Sequence, residues 1–180
     1  MIREPRPLVV DASIAVKFVK HEQGWEDARD ELRSARLRQA RVIAPSVLWL
    51  ELVNVLARRY RVAPENIIEA IAEVDALGLE TVDLDRPMLL LTLDAVGRHG
   101  LSAYDAAYLA LAEWADADLL TADARLAAAA GDRAMLVGGA PRHEIGERPA
   151  PYGTTWADWP GAAAYLRQLR ARVVDAPQRT

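Results

Sequence analysis

Apolar residues along this chain come in two textures. Some form short unbroken runs of three or four; others recur every three or four positions over longer stretches. The short runs predict strands: a buried one at 8–10 (Leu8-Val9-Val10) and others at 42–44, 79–82, 119–120 and 135–137. The longer stretches predict helices between them. The first begins just after Asp11 and reaches about Lys20, with Ile14, Ala15, Phe18 and Val19 at helical spacing. A charged helix over 24–38 keeps Trp25, Ala28, Leu32 and Ala35 on one face. A strongly apolar helix follows over 47–60, then one over 64–77 that opens on Pro64 and closes at Gly78. Asp85 and Pro87 start the next, which stops near 97–100. Ser102 caps another over 103–115, and a short one runs over 124–130. Strands alternating with helices predict an α/β domain built on a mainly parallel sheet.

After Gly138-Gly139 the texture changes. Pro141, Pro149, Pro151, Gly153 and Pro160 punctuate the remainder, and only 161–174 has a helical pattern. The expected organisation is a compact domain over 1–138 and a C-terminal appendage over 139–180. Trp156, Trp159, Leu166 and Leu169 give that appendage apolar surface to dock on the core or on a second subunit.

Length agrees with this division, because 180 residues suit one domain plus a small addition. A hydrophobic fraction of 52% supports a real core. The absence of cysteine removes disulfide scaffolds, Cys-ligated zinc, iron–sulfur clusters and thiol nucleophiles. A net charge of −4 means that a nucleic-acid partner must be held by a local patch. Met1 to Pro7 has no apolar targeting region, and no apolar run is long enough to span a membrane, so a cytoplasmic protein is expected.

Four acids stand where acids are unexpected. Asp11 ends the first buried strand, at the sheet edge where α/β proteins bind ligands; it also fits as the cap of the following helix. Glu51 has Val47, Leu48, Asn54 and Val55 as helical neighbours and Leu50 and Leu52 beside it, where an unpaired carboxylate is costly unless it reaches water at a rim. Asp105 follows Ser102 at capping-box spacing, with Tyr108 and Leu109 one turn on. Asp123 follows the strand at 119–120 and fits as a cap for 124–130, a role that Thr121 could share. In a parallel sheet, strand ends and helix starts share one edge. Four carboxylates there repel one another unless a cation sits among them, and Lys17, a candidate neighbour, cannot balance four. An all-oxygen site without Cys or His suits Mg²⁺ or Mn²⁺.

These residues fall in four blocks. They are 8–18 (LVVDASIAVKF), 46–56 (SVLWLELVNVL), 101–112 (LSAYDAAYLALA) and 119–126 (LLTADARL). In that order they resemble PIN-domain ribonucleases of the VapC toxin type, over roughly 8–137. The resemblance implies a three-layer α/β/α fold, metal-dependent cleavage of RNA, dimerisation, and inhibition by a small cognate antitoxin. By position it makes Asp11, Glu51, Asp105 and Asp123 the catalytic, metal-binding acids, with Ser13 and Thr121 as accessory polar groups. It also implies products with 5′-phosphate and 3′-hydroxyl ends. The segment from Gly139 on is longer than the usual ending of such toxins.

Hydrolysis of a phosphodiester by in-line attack of water needs carboxylates to hold metal and no histidine base; His21, His99 and His143 all lie outside the four blocks. Substrate phosphates need local positive charge, for which the candidates are Lys17, Lys20, the arginines of 33–41, Arg58-Arg59-Arg61, and Arg98 with His99. Each of these also reads as an ordinary solvated helix face. A haloacid-dehalogenase-like phosphatase needs an acid where Ser13 stands. A receiver domain needs paired acids and a late lysine that are missing, and nucleotide-binding glycine signatures are absent. Two other readings stay open: a catalytically silent PIN-like module that binds RNA or a partner, and a housekeeping RNA-processing nuclease. The RNA target, the choice of Mg²⁺ or Mn²⁺, and one metal or two are open as well.

Overall fold

A computed structural model describes residues 5–138. The appendage expected over 139–180, with its helix at 161–174 and its Trp and Leu docking residues, lies outside the described residues. Within them the chain forms β1 (Leu8–Val10), α1 (Ala12–Lys20), α2 (Trp25–Leu37), β2 (Val42–Pro45), α3 (Val47–Arg58), α4 (Pro64–Asp75), β3 (Glu80–Val82), α5 (Arg86–His99), α6 (Ala103–Trp114), β4 (Asp118–Thr121), α7 (Ala124–Ala130) and β5 (Ala134–Leu136). A 3₁₀ turn, Gly131–Arg133, joins α7 to β5.

The five strands form one sheet in the order β3-β2-β1-β4-β5, and every pairing is parallel. The chain starts at the centre, moves outward through β2 to β3, then returns to the other side of β1 for β4 and β5. Connections therefore leave β1 and β4 in opposite directions. In open α/β sheets that reversal leaves a crevice at the carboxyl ends of the two strands. Asp11 directly follows β1, and Thr121 is the last residue of β4.

Side chains alternate across the sheet and build two cores. Val9, Ile43 and Leu119 pack with Leu48, Leu52 and Tyr108 on one side. Leu8, Val10, Val42 and Leu120 pack with Ala28, Leu32 and Ala35 of α2 on the other. Helices on both faces make the three layers. The alanines of α6, from Ala106 to Ala112, are buried and let that helix pack closely against the sheet. Among the described residues no helix is long and apolar enough to cross a membrane.

Boundaries shift by a few residues from those the sequence predicts. Helix α3 ends at Arg58 instead of position 60, and α4 at Asp75 instead of 77. Gly24 falls outside α2 because its φ of +88° is left-handed. It sits against Gly138, whose φ is +48°; a Cβ on Gly138 would stand 2.7 Å from the Gln23 carbonyl oxygen. Val137, just before it, is buried and donates its N–H to the Thr121 carbonyl at 3.0 Å. The last described residues are thus tied to the end of β4.

Candidate active site

Asp11 occupies the N-cap position of α1 but makes no well-formed side-chain cap; the Ser13 N–H is the weakest of the groups acting on its carboxyl. Its carboxylate turns instead to two hydroxyls. Ser13 Oγ donates to Asp11 Oδ2 at 2.5 Å, and Thr121 Oγ1 donates to the same oxygen at 2.7 Å. Each hydroxyl is itself oriented by a backbone N–H beyond β4, Ala122 to Ser13 Oγ at 2.9 Å and Asp123 to Thr121 Oγ1 at 3.0 Å. The Asp11 N–H donates to the Leu120 carbonyl. The end of β4 therefore fixes the acid at the end of β1. Ser13 and Thr121 do this through direct contact with Asp11.

Asp11 is buried, 5% exposed. Burial pushes its carboxyl above the usual range; the hydroxyl bonds from Ser13 and Thr121 oppose this, and the charge of Asp105 adds to the rise. Asp105, in the first turn of α6, is buried as well. Ser102 Oγ accepts the Asp105 N–H at 3.1 Å and donates to Asp105 Oδ2 at 2.9 Å. The capping motif at Ser102 is thus present, and its carboxylate also acts on Asp11.

Glu51 projects from the second turn of α3 and is half-buried, a rim position. Tyr108 Oη donates to Glu51 Oε2 at 2.5 Å. Burial raises the Tyr108 hydroxyl well above its ordinary pKa, and the charges of Glu51 and then Asp11 raise it further. Tyr108 thus stays a neutral donor between the two acids. Asp123 is buried and caps α7, its Oδ1 accepting from Arg125 N at 2.7 Å and Leu126 N at 3.2 Å. It meets the Asp11 group through its backbone N–H and Thr121.

Lys17 does not serve as a neighbour to the acids. It is 1% exposed, and its Nζ donates to the Gln23 carbonyl at 2.6 Å. Burial also removes it from the candidate phosphate contacts. Among the described residues the groups acting on Asp11 are hydroxyls, the Ser13 N–H and another carboxylate, with no cation.

A family model for the PIN domain matches residues 8–132, well over half of the chain. The chain belongs to the PIN-domain family. Members of the family are generally nucleases that use divalent metals. No curated protein matches the chain. Among solved structures it is similar to PAE2754 from Pyrobaculum aerophilum, at 18% identity and a TM-score of 0.53, over 92% of this chain and 96% of that one. It is similar to a toxin–antitoxin complex from Klebsiella pneumoniae, at 16% identity and a TM-score of 0.52, over 71% of this chain and 95% of that one. A third is VapBC2 from Rickettsia felis bound to a DNA fragment from their promoter, at 12% identity and a TM-score of 0.50, over 73% and 98%. At these identities the three share the fold.

Among the described residues, no three Asp, Glu or His side chains stand close enough to ligate one ion together. Mg²⁺ does not demand such a cage. It keeps several waters and binds through one or two carboxylates plus substrate phosphates. Two buried carboxylates, Asp11 and Asp105, whose charges disfavour each other, fit that requirement. Tyr108 is the site residue that sequence reasoning left without a role. Its signal was present: a tyrosine one turn after Asp105, on a helix otherwise lined by alanine and leucine.

Proposed function

We propose that this PIN domain is a metal-dependent endoribonuclease, the toxin of a VapBC-type toxin–antitoxin pair. The observation that carries the reading is Asp11 beside Asp105 at the switch point of the sheet. Asp11 is buried, held by two hydroxyls, and faced by a second buried carboxylate whose charge acts on it. Asp11 and Asp105 are the residues to hold Mg²⁺ or Mn²⁺, with Glu51 and Asp123 completing the site directly or through water. The bound ion supplies Lewis-acid stabilisation of charge on the phosphate and lowers the pKa of an attacking water. Ser13 and Thr121 keep Asp11 oriented and oppose the upward push of burial on its carboxyl. Tyr108 fixes Glu51 by donating to it. Among the described residues no histidine takes part, since His21 and His99 are exposed and lie outside the acid group.

The same reading assigns an antitoxin as partner. Two of the similar structures are a toxin–antitoxin complex and VapBC2. Exposed Leu50 on α3 and Ile68 on α4 offer apolar surface for such a segment. Homodimerisation and a cytoplasmic location belong to the proposal too, as does a nuclease unit over 1–138 with 139–180 appended.

The test is cleavage of single-stranded or looped RNA by the purified chain. Activity is expected with Mg²⁺ or Mn²⁺ and is lost in EDTA. Asp11→Asn, Glu51→Gln and Asp105→Asn each lower the rate by at least about a hundredfold, as expected when a group stabilising transition-state charge is removed. Cleavage that persists in EDTA, or in all three variants, refutes the metal mechanism. A chain that binds RNA or an antitoxin segment but cleaves nothing is the catalytically silent module.

A further inference from the structure

Most basic side chains among the described residues are already engaged. Arg6, Arg29, Arg41, Arg98 and Arg133 pair with carboxylates. Arg36, Arg38 and Arg125 bond Leu77, Ser34 and Gly100. Of the others, Arg33 lies on α2 and Arg86 opens α5. The remaining four gather in one place: Lys20 ends α1, Arg58 ends α3, and Arg59 and Arg61 follow directly. All four are exposed, and among the described residues none forms an ion pair.

Tyr60 organises this group. Lys20 Nζ lies 5.2 Å from its ring centroid and Arg59 Cζ 5.1 Å. Its hydroxyl bonds Glu22, the acid at the end of α1, so the nearest carboxylate is tied to the ring that holds the two cations. The helix dipole explains one cation at the end of α1 and one at the end of α3. It does not explain Arg59 and Arg61, which lie beyond the helix, or the convergence of both ends on one aromatic ring.

The group also has a defined place relative to the acids. Ser13 and Lys20 are seven residues apart on α1, and Glu51 and Arg58 are seven apart on α3. Two turns put each pair on one helix face, about 10 Å apart. Helices α1 and α3 pack on each other, so both lead from the acid site to the cations. The Glu51–Arg58 separation slightly exceeds the Debye length of about 8 Å at physiological salt, so salt weakens the pull of half-buried Glu51 on the exposed cations.

We infer that Lys20, Arg58, Arg59 and Arg61 form the track that holds the phosphate backbone of single-stranded RNA while its scissile bond lies at Asp11 and Asp105. The inference rests on the nuclease reading above. A cationic groove flanked by aromatic rings is the chemistry that single strands require, without base-specific readout.

The experiment uses full-length protein carrying Asp11→Asn, so that RNA stays intact. Binding of a short fluorescein-labelled single-stranded RNA is followed by anisotropy across a salt series. Each lost phosphate contact lowers the slope of log K against log salt by about 0.7 for a single strand. Lys20→Gln/Arg59→Gln/Arg61→Gln is expected to flatten the slope by about 2 and to weaken binding at physiological salt at least about tenfold. A charge-matched control, Arg6→Gln/Arg98→Gln/Arg133→Gln, leaves the slope unchanged. Equal effects from both triples, or none from either, overturn the track. So does tighter binding of polyglutamate than of RNA. Should the triple melt below the parent, Arg61→Gln alone, which breaks no recorded contact, must still lower the slope by about 0.7. A protein that cleaves no RNA with any metal, yet shows the lowered slope, refutes the nuclease reading and keeps the track. Metal-dependent cleavage with an unaltered slope does the reverse.

Discussion

At the scale of single residues the decisive observation is that one carboxylate sits at a helix N-terminus yet is held mainly by hydroxyls and not by the helix it precedes. Asp11 and Asp123 both follow short apolar strands and both precede a helix, so sequence alone cannot divide their roles. The hydrogen bonds divide them: Asp123 Oδ1 caps α7, whereas Asp11 is held by hydroxyls from two different segments. This gives Asp11 a testable energetic signature. Burial raises its folded carboxyl pKa, so the neutral form favours the fold. That contribution is complete below the usual carboxylate range and is lost as pH rises through the raised folded value. At neutral pH in EDTA, Asp11→Asn should therefore melt at or above the parent, by up to about 1 kcal/mol or about 3 °C. The gap should close on acidification. Millimolar Mg²⁺ should reverse the order, because the ion stabilises only a folded protein that binds it. Melting curves of both proteins in EDTA and in Mg²⁺ decide this. A large loss of stability in EDTA would make Asp11 a structural hydrogen-bond hub.

At the scale of elements, the strands and helices were legible because the inner strands β1, β2 and β4 are short apolar runs buried on both faces, while β3 and β5 are exposed edges, and each longer period is a helix packed on one face. The order of the strands was not legible. Nothing in Leu119-Leu120 says that β4 lies beside β1 and not beside β3; that follows from where the connections pack. The lysine in α1 misled for a related reason. Lys17 stands one turn from Ser13, yet its stem is swallowed by the core and its Nζ is spent on the turn before α2. The crossing of Gly24 and Gly138 was also invisible, since neither glycine announces a partner more than a hundred residues away. Its importance can be measured. Gly138→Ala places a Cβ against backbone at a positive φ and should cost about 2–4 kcal/mol in urea unfolding. Gly100→Ala, with a φ of +61° but open space around it, should cost only about 1 kcal/mol. Equal losses would mean that conformation alone matters at Gly138, not the contact.

At the scale of the whole molecule, the site belongs to the sheet and not to any one element. Asp11, Glu51 and Asp105 come from three connections, and Thr121 ties the first of them to a fourth. The domain proposed over 1–138 makes a direct prediction. A chain ending at Gly139 keeps Val137 in the core and its bond to Thr121, so it should unfold cooperatively and retain cleavage. Any difference in mass in solution would then report assembly through 139–180. A chain ending at Leu136 should lose about 2 kcal/mol with the buried valine, and activity with the loosened Thr121. Full activity in that shorter chain would separate Thr121 from the end of β5. The sheet order also has a consequence in time. Thr121 and Asp11 are 110 positions apart, and β1 gains its second neighbour only when β4 exists. A chain emerging residue by residue carries its first acid long before the hydroxyl that orients it. Until the fourth strand has been made and docked, the central strand is an open edge and the acid beside it has no fixed direction. The proposed site is thus completed late in synthesis, and a nascent chain makes its first three strands before that site can form.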